Sequence, residues 1–451
     1  MYRLGMTLLT IILVISSLRA QDSLRPEQMD SLTRINNLRM TQTDSLTYRQ
    51  YLDGDYRSLI GTSRKARREG ISFYYLDYRT AIAYYALKNY AKAATFYKKT
   101  LSETPDDPAL KESLYYAYLL SGQKENAAIL AKTMAPHTQA IVGYTPSVMD
   151  KISLSGGYMT NDNRPGTHTI VGFDSLNQYQ NMIFSTLGVG FKLSERTKFK
   201  LGYQLYNPRF QRSAGTTVIM EDNLSQHQLV AALEFFSPSN ITWGVAGGYY
   251  NIGKPGNISI MATGQGAARG YGAPFSYNTS SGKRISAYSL LAFLNKRFTY
   301  TLPEIAVAYS NFGETDQYQA KGSLTYYPLG NLNFYGISTA ALVYTPNGWF
   351  RKQYILSQHF GMKLSGPIWL DANASLGNHL NYITERSFQV YDTYDPIKAL
   401  AGLSLSWYLR KITMNAGYQW QQKEGYAFSE INYTTYKYNN HLVNIALSWN
   451  F

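Results

Sequence analysis

Alternation of apolar and polar residues is the dominant pattern in the C-terminal two-thirds of the chain, from about residue 151 to the end. Successive side chains of a β-strand point to opposite faces, so a period of two predicts strands with one apolar and one polar face. The last segment shows the pattern most clearly, because Asn, Ala and Ser fill the positions between its apolar residues. The positions that share its apolar face are His441, Val443, Ile445, Leu447, Trp449 and Phe451.

The same alternation recurs in about fourteen segments of roughly 10–13 residues, about the length that a tilted strand needs to cross a bilayer. Short connections such as 194–196 and 410–411 alternate with longer ones such as 207–226 and 381–397. Short turns on one side and long loops on the other are typical of outer-membrane barrels. We therefore predict an antiparallel transmembrane β-barrel over residues 145–451, and not a soluble β-sandwich. Its strands begin near Lys151, Met182, Lys198, Gln228, Thr242, Ala287, Leu302, Tyr318, Leu332, Gln353, Ile368, Ala399, Ile412 and Asn440.

A helical pattern with a period of 34 residues precedes the barrel, over about residues 21–140. Tyr84 and Tyr118, and likewise Ala93 and Ala127, lie 34 residues apart, and a third, degenerate unit with its inter-helix turn at Gly54 precedes these two. The positions that we assign to the packing of the repeat are Ala81, Tyr84, Ala93, Tyr118, Gly122 and Ala127. This segment resembles the tetratricopeptide repeat, in which small residues let helices pack closely. The resemblance implies a stacked helical domain that binds a protein partner.

The first twenty residues have the layout of a secretion signal. Arg3 supplies a positive charge, an apolar stretch runs from Leu4 to Ser16, and we expect cleavage after Ala20. The apolar stretch is shorter than the ~20 residues that a membrane-spanning helix needs. We therefore expect an exported protein with its barrel in the outer membrane and its helical domain in the periplasm.

The amino-acid composition is that expected of a membrane barrel, and it excludes several kinds of catalytic and metal site. Aromatic residues make up 15% of the chain, with 41 Tyr, whereas charged residues make up 16%, against about 25% in soluble proteins. A mean hydropathy of −0.29 excludes a bundle of membrane helices. The chain has no Cys, which excludes disulfides, thiolate catalysis and thiol-based zinc sites. We expect neither a metal nor another cofactor.

The net charge of +14 is spread through strands and loops, without the motifs of a nucleic-acid-binding protein, so we expect no nucleic-acid partner. The densest basic cluster has two interpretations. It is either a solvated helix end or a contact with anionic phospholipid or an acidic polymer. The cluster consists of Arg64, Lys65, Arg67 and Arg68.

Several polar residues are predicted to share the inward face of two neighbouring strands. They are His359 and Lys363 on one strand, and Asp371, Ser375 and His379 on the next. A Ser/His/Asp hydrolase is one interpretation of these residues, and a polar pore lining is the other. Because no G-x-S-x-G turn surrounds a Ser, we predict that the protein is not an enzyme.

The other inward positions are mostly small, which we interpret as space for water or for a loop folded inside the barrel. The Gly-rich connection 252–285 is the candidate plug, with a surface loop as the alternative. The small inward residues are Ser155, Gly188, Gly190, Gly202, Gly244, Ala246, Gly248, Ser404 and Asn415.

The chain ends on Leu447, Trp449 and Phe451 in alternation. This ending resembles the terminal signal that the barrel-assembly machinery recognises. The whole layout, an α + β multidomain chain with a helical repeat before a barrel, resembles exopolysaccharide-export porins and YaiO-type outer-membrane proteins. The resemblance implies a transport or export pore in outer-membrane lipid, with a periplasmic protein partner and polysaccharide as the candidate cargo. The alternative is a non-conducting anchor of a secretion or assembly complex.

Overall fold

The computed structural model describes residues 26–162, 176–214, 217–254, 258–262, 275–279, 283–312, 315–348, 350–384, 389–391, 395–428 and 433–451. The predicted signal peptide lies outside these residues. The chain divides into two compact units, one of Met1–Leu87 and Lys92–Asp107 and the other of Lys88–Ala91 and Pro108–Phe451.

Seven helices form in the described part of the chain before the first strand. They are α1 (Pro26–Leu52), α2 (Tyr56–Arg68), α3 (Tyr74–Ala86), α4 (Tyr90–Glu103), α5 (Pro108–Leu120), α6 (Lys124–Lys132) and α7 (Pro136–Ile141). None of the helices in the described residues has both the length and the apolar character needed to cross a bilayer.

The helices recur along the chain with a fixed spacing, since α2, α4 and α6 begin at residues 56, 90 and 124. The turns that precede them share one backbone conformation. Gly54, Lys88 and Gly122 have φ values of 69°, 60° and 81°. Glycine adopts this left-handed conformation freely, whereas Lys88 does so at a cost of about 1 kcal/mol. The same tight turn is thus retained at three places 34 residues apart.

Small residues and tyrosines pack the helices of each unit. In the first unit Ala81 and Ala93 are fully buried, and the Tyr84 ring stacks on Phe96 at a centroid distance of 5.6 Å. In the second unit Ala127 is fully buried, with Tyr118 packed against the same apolar cluster. Burial raises the pKa of the Tyr118 hydroxyl to about 12.

Fourteen long antiparallel strands form the barrel in the described part of the chain. They are β1 (Met149–Asn161), β2 (Leu176–Ser194), β3 (Thr197–Ala214), β5 (Gln226–Phe236), β6 (Ile241–Lys254), β9 (Lys283–Lys296), β10 (Thr301–Ser310), β11 (Gln317–Tyr326), β12 (Phe334–Tyr344), β13 (Lys352–Ser365), β14 (Ile368–Gly377), β17 (Ile397–Leu409), β18 (Ile412–Phe428) and β19 (Tyr433–Asn450). Shorter strands lie in the long connections: β4 (Thr217–Asn223), β7 (Ile258–Ala262), β8 (Phe275–Thr279), β15 (Tyr382–Thr384) and β16 (Gln389–Tyr391).

The sheet closes on itself, which confirms the predicted barrel and its strand number. Each long strand pairs with its neighbours along the chain, and β2 pairs with both β1 and β3. The ring is completed where β1 pairs with β19, from Lys151 opposite Asn450 to Asn161 opposite Asn440. The closed ring leaves no unpaired sheet edge among its long strands.

The outer face of the ring carries a band of exposed apolar side chains. Ile305, Leu356 and Ile445 are 64%, 64% and 67% exposed, although such residues are normally buried in a protein in water. A closed barrel with this outer band is the strand architecture that satisfies every backbone polar group in a bilayer. The short turns lie at one end of the barrel, called the turn end below, and the long connections lie at the opposite loop end.

Several inward glycines are covered by aromatic rings. A Cβ at Gly244 would overlap the Phe293 ring, and a Cβ at Gly248 would overlap the ring of Tyr250. The interpretation of these two glycines as space for water is therefore wrong. Their missing side chains make room for the rings, which join Leu291 in a buried apolar cluster inside the barrel.

Candidate functional site

The inner wall of the barrel has two unlike halves. Along β5, β6, β9 and β10, apolar side chains fill the interior and are almost fully buried, and the large ones lie on β6 and β9. In the middle and turn-end parts of β14, β17, β18, β19, β1 and β2, the inward residues are mostly small or polar and many stay partly exposed, including Ser155, Ser404, Asn415 and Asn444. Toward the loop end the same half of the wall carries the buried side chains of Met159, Tyr179 and Tyr438. A water-accessible path therefore follows only the middle and turn-end parts of this half of the wall.

The connection between β14 and β17 lies near the loop end, and we call its described residues, 378–384, 389–391 and 395–396, the strap. Gln319 on β11 holds it by a pair of hydrogen bonds. The Gln319 side chain donates to the Ile383 carbonyl at 2.8 Å and accepts from the Ile383 N–H at 3.0 Å. Gln317 donates to the carbonyl of Asn381 at 2.8 Å. Since β11 lies three strands away from β14 in the ring, residues 381–383 reach into the lumen.

Two side chains of the strap are buried in apolar pockets of the wall. Tyr382 packs in a cluster with Val343 and Ile355. Ile383, which is 1% exposed, joins the cluster that contains Tyr250. The strap is thus held by hydrogen bonds to its backbone and by the burial of adjacent side chains.

The first end of the strap is fixed by His379. The Ser375 Oγ lies 2.7 Å from His379 Nε2, and the Ile397 carbonyl lies 2.9 Å from Nδ1. Burial lowers the pKa of the His379 imidazole. We therefore assign a neutral ring that donates from Nδ1 to the Ile397 carbonyl and has its acceptor nitrogen, Nε2, beside the Ser375 hydroxyl.

The second end of the strap is fixed by Asp395, whose carboxylate accepts a hydrogen bond from the Tyr438 hydroxyl at 2.7 Å. Burial raises the pKa of Asp395, while the Tyr438 hydrogen bond and the charge of Lys423 act in the opposite direction. The strap therefore carries a titratable group at each end.

The predicted lumen residues separate into three places. His359 Nε2 lies 3.0 Å from Asp371 Oδ1, and Tyr335 donates to the same oxygen at 2.6 Å. Lys363 lies nearer the turn end, and His379 lies at the loop end with Ser375. Asp371 therefore bonds a different histidine from the one that contacts Ser375, and these residues do not form one Ser/His/Asp arrangement.

The connection proposed as a plug from the sequence, 252–285, is described in part. Its strands β7 and β8 pair as a hairpin, and most of its remaining residues lie outside the described part of the chain. The strap was not predicted, because its composition is that of an ordinary long loop. The sequence does contain one sign of the strap. Gln317 and Gln319 are successive inward amides on one strand, and they were not among the predicted lumen residues.

The basic cluster of α2 is divided by its neighbours. Arg64, Lys65 and Arg68 are exposed. Arg67 instead forms an ion pair with the fully buried Asp77, and its guanidinium lies 4.3 Å from the centroid of the Phe96 ring. Three of the four predicted patch residues are thus free to meet a ligand, and the fourth stabilises the helical packing.

Helices α5 and α6 are bound to the turn end of the barrel by polar contacts within the second unit. Glu125 pairs with Lys198 at 3.2 Å, and Lys132 pairs with Glu195 at 2.9 Å. Arg297 donates to the Ser121 carbonyl at 2.7 Å. The segment that leads into β1 is therefore attached to the barrel beside the lumen entrance.

Comparison with known proteins gave matches among solved structures only. No protein-family model matches the chain, and no curated protein matches it. The chain is similar to a FadL homologue of Pseudomonas aeruginosa, with 10% identity and a TM-score of 0.44 over 71% of this chain and 94% of that one. It is also similar to the toluene transporter TodX of Pseudomonas putida (11% identity, TM-score 0.40, 69% and 92% covered). A third similar structure is the outer membrane protein Omp33 of Acinetobacter baumannii, with 8% identity and a TM-score of 0.35 over 68% of this chain and 100% of that one.

Proposed function

We propose that this protein is a gated transport or export pore of the outer membrane, with a docking module for a periplasmic protein ahead of its barrel. The strap is the observation that carries the proposal. A segment held across the lumen by two amide side chains can be released without breaking the barrel, because the strand pairing of the ring does not depend on it. The half-polar wall then provides a path for a hydrated cargo.

Conductance in planar bilayers tests the gate. Replacing residues 380–394 by a short Gly-Ser linker should convert a closed or rarely open barrel into one that conducts salt continuously. The matched control shortens the exposed turn at 346–348, which lies at the same end of the barrel. If the barrel without the strap carried no current, the pore hypothesis would be refuted and the non-conducting anchor would be the remaining interpretation. The apolar side chains that fill one half of the lumen favour that anchor.

The helical hairpins support the docking role. Their 34-residue spacing and their buried small residues are those of a tetratricopeptide array, whose units stack and leave a continuous surface for a partner. Tyr75 on α3 is 57% exposed and is a suitable probe. A photo-crosslinking residue at Tyr75 of the full chain in cells should capture a periplasmic protein, whereas the lipid-facing control position Tyr354, 66% exposed, should not. Capture at neither position would argue against docking.

Polysaccharide is the cargo that we assign to the pore. The aromatic and polar composition of the inner wall supports this choice. Export is tested in cells that lack the protein, where polymer should accumulate in the periplasm and return to the surface on complementation. Normal surface polymer in those cells would refute the cargo while leaving the pore.

A further inference from the structure

The turn end of the lumen carries an aromatic platform that the gate does not use. Trp369 and Tyr408 contact each other edge to face, with ring centroids 4.9 Å apart and an interplanar angle of 73°. The Lys363 ammonium lies 4.8 Å from the centroid of the Trp369 ring. We call these three residues the vestibule platform.

The strand register places the vestibule platform on the inner wall. Lys363 is paired with Trp369 across β13 and β14, and Trp369 is paired with Ser406 across β14 and β17. Directly paired residues share one face of a sheet, and Tyr408 follows Ser406 by two positions. The adjacent Trp407 points to the opposite, lipid-facing side.

The vestibule platform is accessible and carries a positive charge. Tyr408 is 48% exposed, and Lys363 is also exposed. Among the described residues no carboxylate forms an ion pair with Lys363. Because about half of Tyr408 stays exposed, its ring contributes less to the packing of the core than a buried ring would.

Hydrogen-bonding groups flank the vestibule platform on the same wall. Asn415 donates to the Ser406 hydroxyl at 2.9 Å. Further along the wall, Tyr335 donates to Asp371 Oδ1, and His359 Nε2 lies 3.0 Å from the same oxygen. The site therefore offers the half-exposed Tyr408 ring beside Trp369, an ammonium without an ion-pair partner among the described residues, and a row of small polar groups.

We propose that the vestibule platform binds an acidic sugar unit, a hexuronate residue of a glycan chain. The apolar face of the pyranose ring lies on Tyr408 and Trp369, its carboxylate contacts the Lys363 ammonium, and its hydroxyl groups meet the polar wall. A neutral sugar would leave the ammonium without a partner, and a bare phosphate would leave both rings unused. This inference rests on the proposed pore function and names its substrate class.

Calorimetry with the full chain in detergent micelles tests the site, using tetragalacturonate as the acidic probe and maltotetraose as the neutral one. We expect tetragalacturonate to bind more tightly than maltotetraose, and binding to weaken as salt is raised. Tyr408→Ala should weaken tetragalacturonate binding about two- to tenfold through loss of the ring face. Lys363→Gln should weaken it up to about fivefold and leave maltotetraose unchanged.

Trp407→Leu is the matched control, since Trp407 is adjacent in sequence but faces lipid, and it should not alter binding. Equal binding of the two probes, or an unchanged affinity in both platform variants, would overturn the assignment. A loss of binding in Trp407→Leu as large as in Tyr408→Ala would do so as well. Heat-modifiable migration on gels verifies that each variant is a folded barrel.

The outcomes for the pore and for the platform are separable. A strap-free barrel that conducts salt, but neither binds nor is blocked by tetragalacturonate, refutes the sugar site and keeps the pore. A barrel that binds tetragalacturonate at these residues without conducting refutes the pore and keeps the site.

Discussion

Replacing Gln319 by Leu should release the strap, and the size of the effect follows from two hydrogen bonds. The Gln319 amide satisfies both the N–H and the carbonyl of Ile383. Leucine has a similar volume but neither donates nor accepts. Ile383 is 1% exposed, so water cannot replace the lost partners while the strap stays docked.

Leaving a buried backbone group unsatisfied costs about 1–3 kcal/mol. Two such groups on one residue therefore weaken the docked state by about 3 kcal/mol. A shift of that size raises the ratio of undocked to docked straps more than about a hundredfold. The apolar pockets of Tyr382 and Ile383 remain, so the variant should close intermittently, in contrast to the strap-free barrel.

Single-channel recording in planar bilayers measures this ratio as the open probability. Gln358→Leu is the control, because Gln358 lies on the outer face of β13, where its amide donates to the Tyr326 hydroxyl at 3.1 Å. We expect a large increase in open probability for Gln319→Leu and none for the control. An open probability that stays within twofold of the unaltered protein, in a barrel that opens on strap removal, would show that these hydrogen bonds do not hold the gate.

Three further outcomes are expected. Burial lowers the pKa of His379, so docking of the strap favours the neutral imidazole and weakens as the pH falls below the ordinary histidine pKa of about 6.5. The raised pKa of Asp395 acts in the opposite sense. We therefore expect the open probability of the unaltered protein to rise on acidification, and this rise should be lost in His379→Asn. Arg67→Ala removes a cation from the buried Asp77 carboxylate and should lower the stability of the helices by about 2–3 kcal/mol, measured by thermal unfolding followed by circular dichroism. Arg64→Ala, at an exposed position, should change the stability by no more than about 0.5 kcal/mol. Equal effects of the two substitutions would contradict a packing role for Arg67. Deleting Phe451 should slow the appearance of the heat-modifiable barrel in cells, and an unchanged rate would argue against its role in assembly.

The sequence predicted the barrel closely because the bilayer imposes a simple rule on every strand. Inside the membrane one face must be apolar, so alternation marks the strand. The last strand was predicted to begin near Asn440, yet β19 begins at Tyr433 and pairs with β18 as far as Phe428. That extension lies at the loop end, where neither face needs to be apolar, and the alternation that reveals strands is absent.

The candidate site was predicted less completely, for a different physical reason. The contact of His359 with Asp371 follows from register, because two inward residues on adjacent strands lie close together. The strap is held through the backbone groups of Asn381 and Ile383. Any residue provides such groups, so no pattern of side chains in this loop could reveal that residues 381–383 dock against β11.

The pairing of β1 with β19 makes barrel closure the slowest contact to reach by random search. Lys151 and Asn450 must meet across almost the whole length of the barrel segment. Joining ends separated by roughly 300 residues costs about 5 kcal/mol of chain entropy, and no hydrogen bond of the seam forms until that cost is met. Holding β19 near β1 while the other strands pair would turn this search into a local one. The final pairing of β1 with β19 would then displace whatever held β19, and completion of the ring would be coupled to its release.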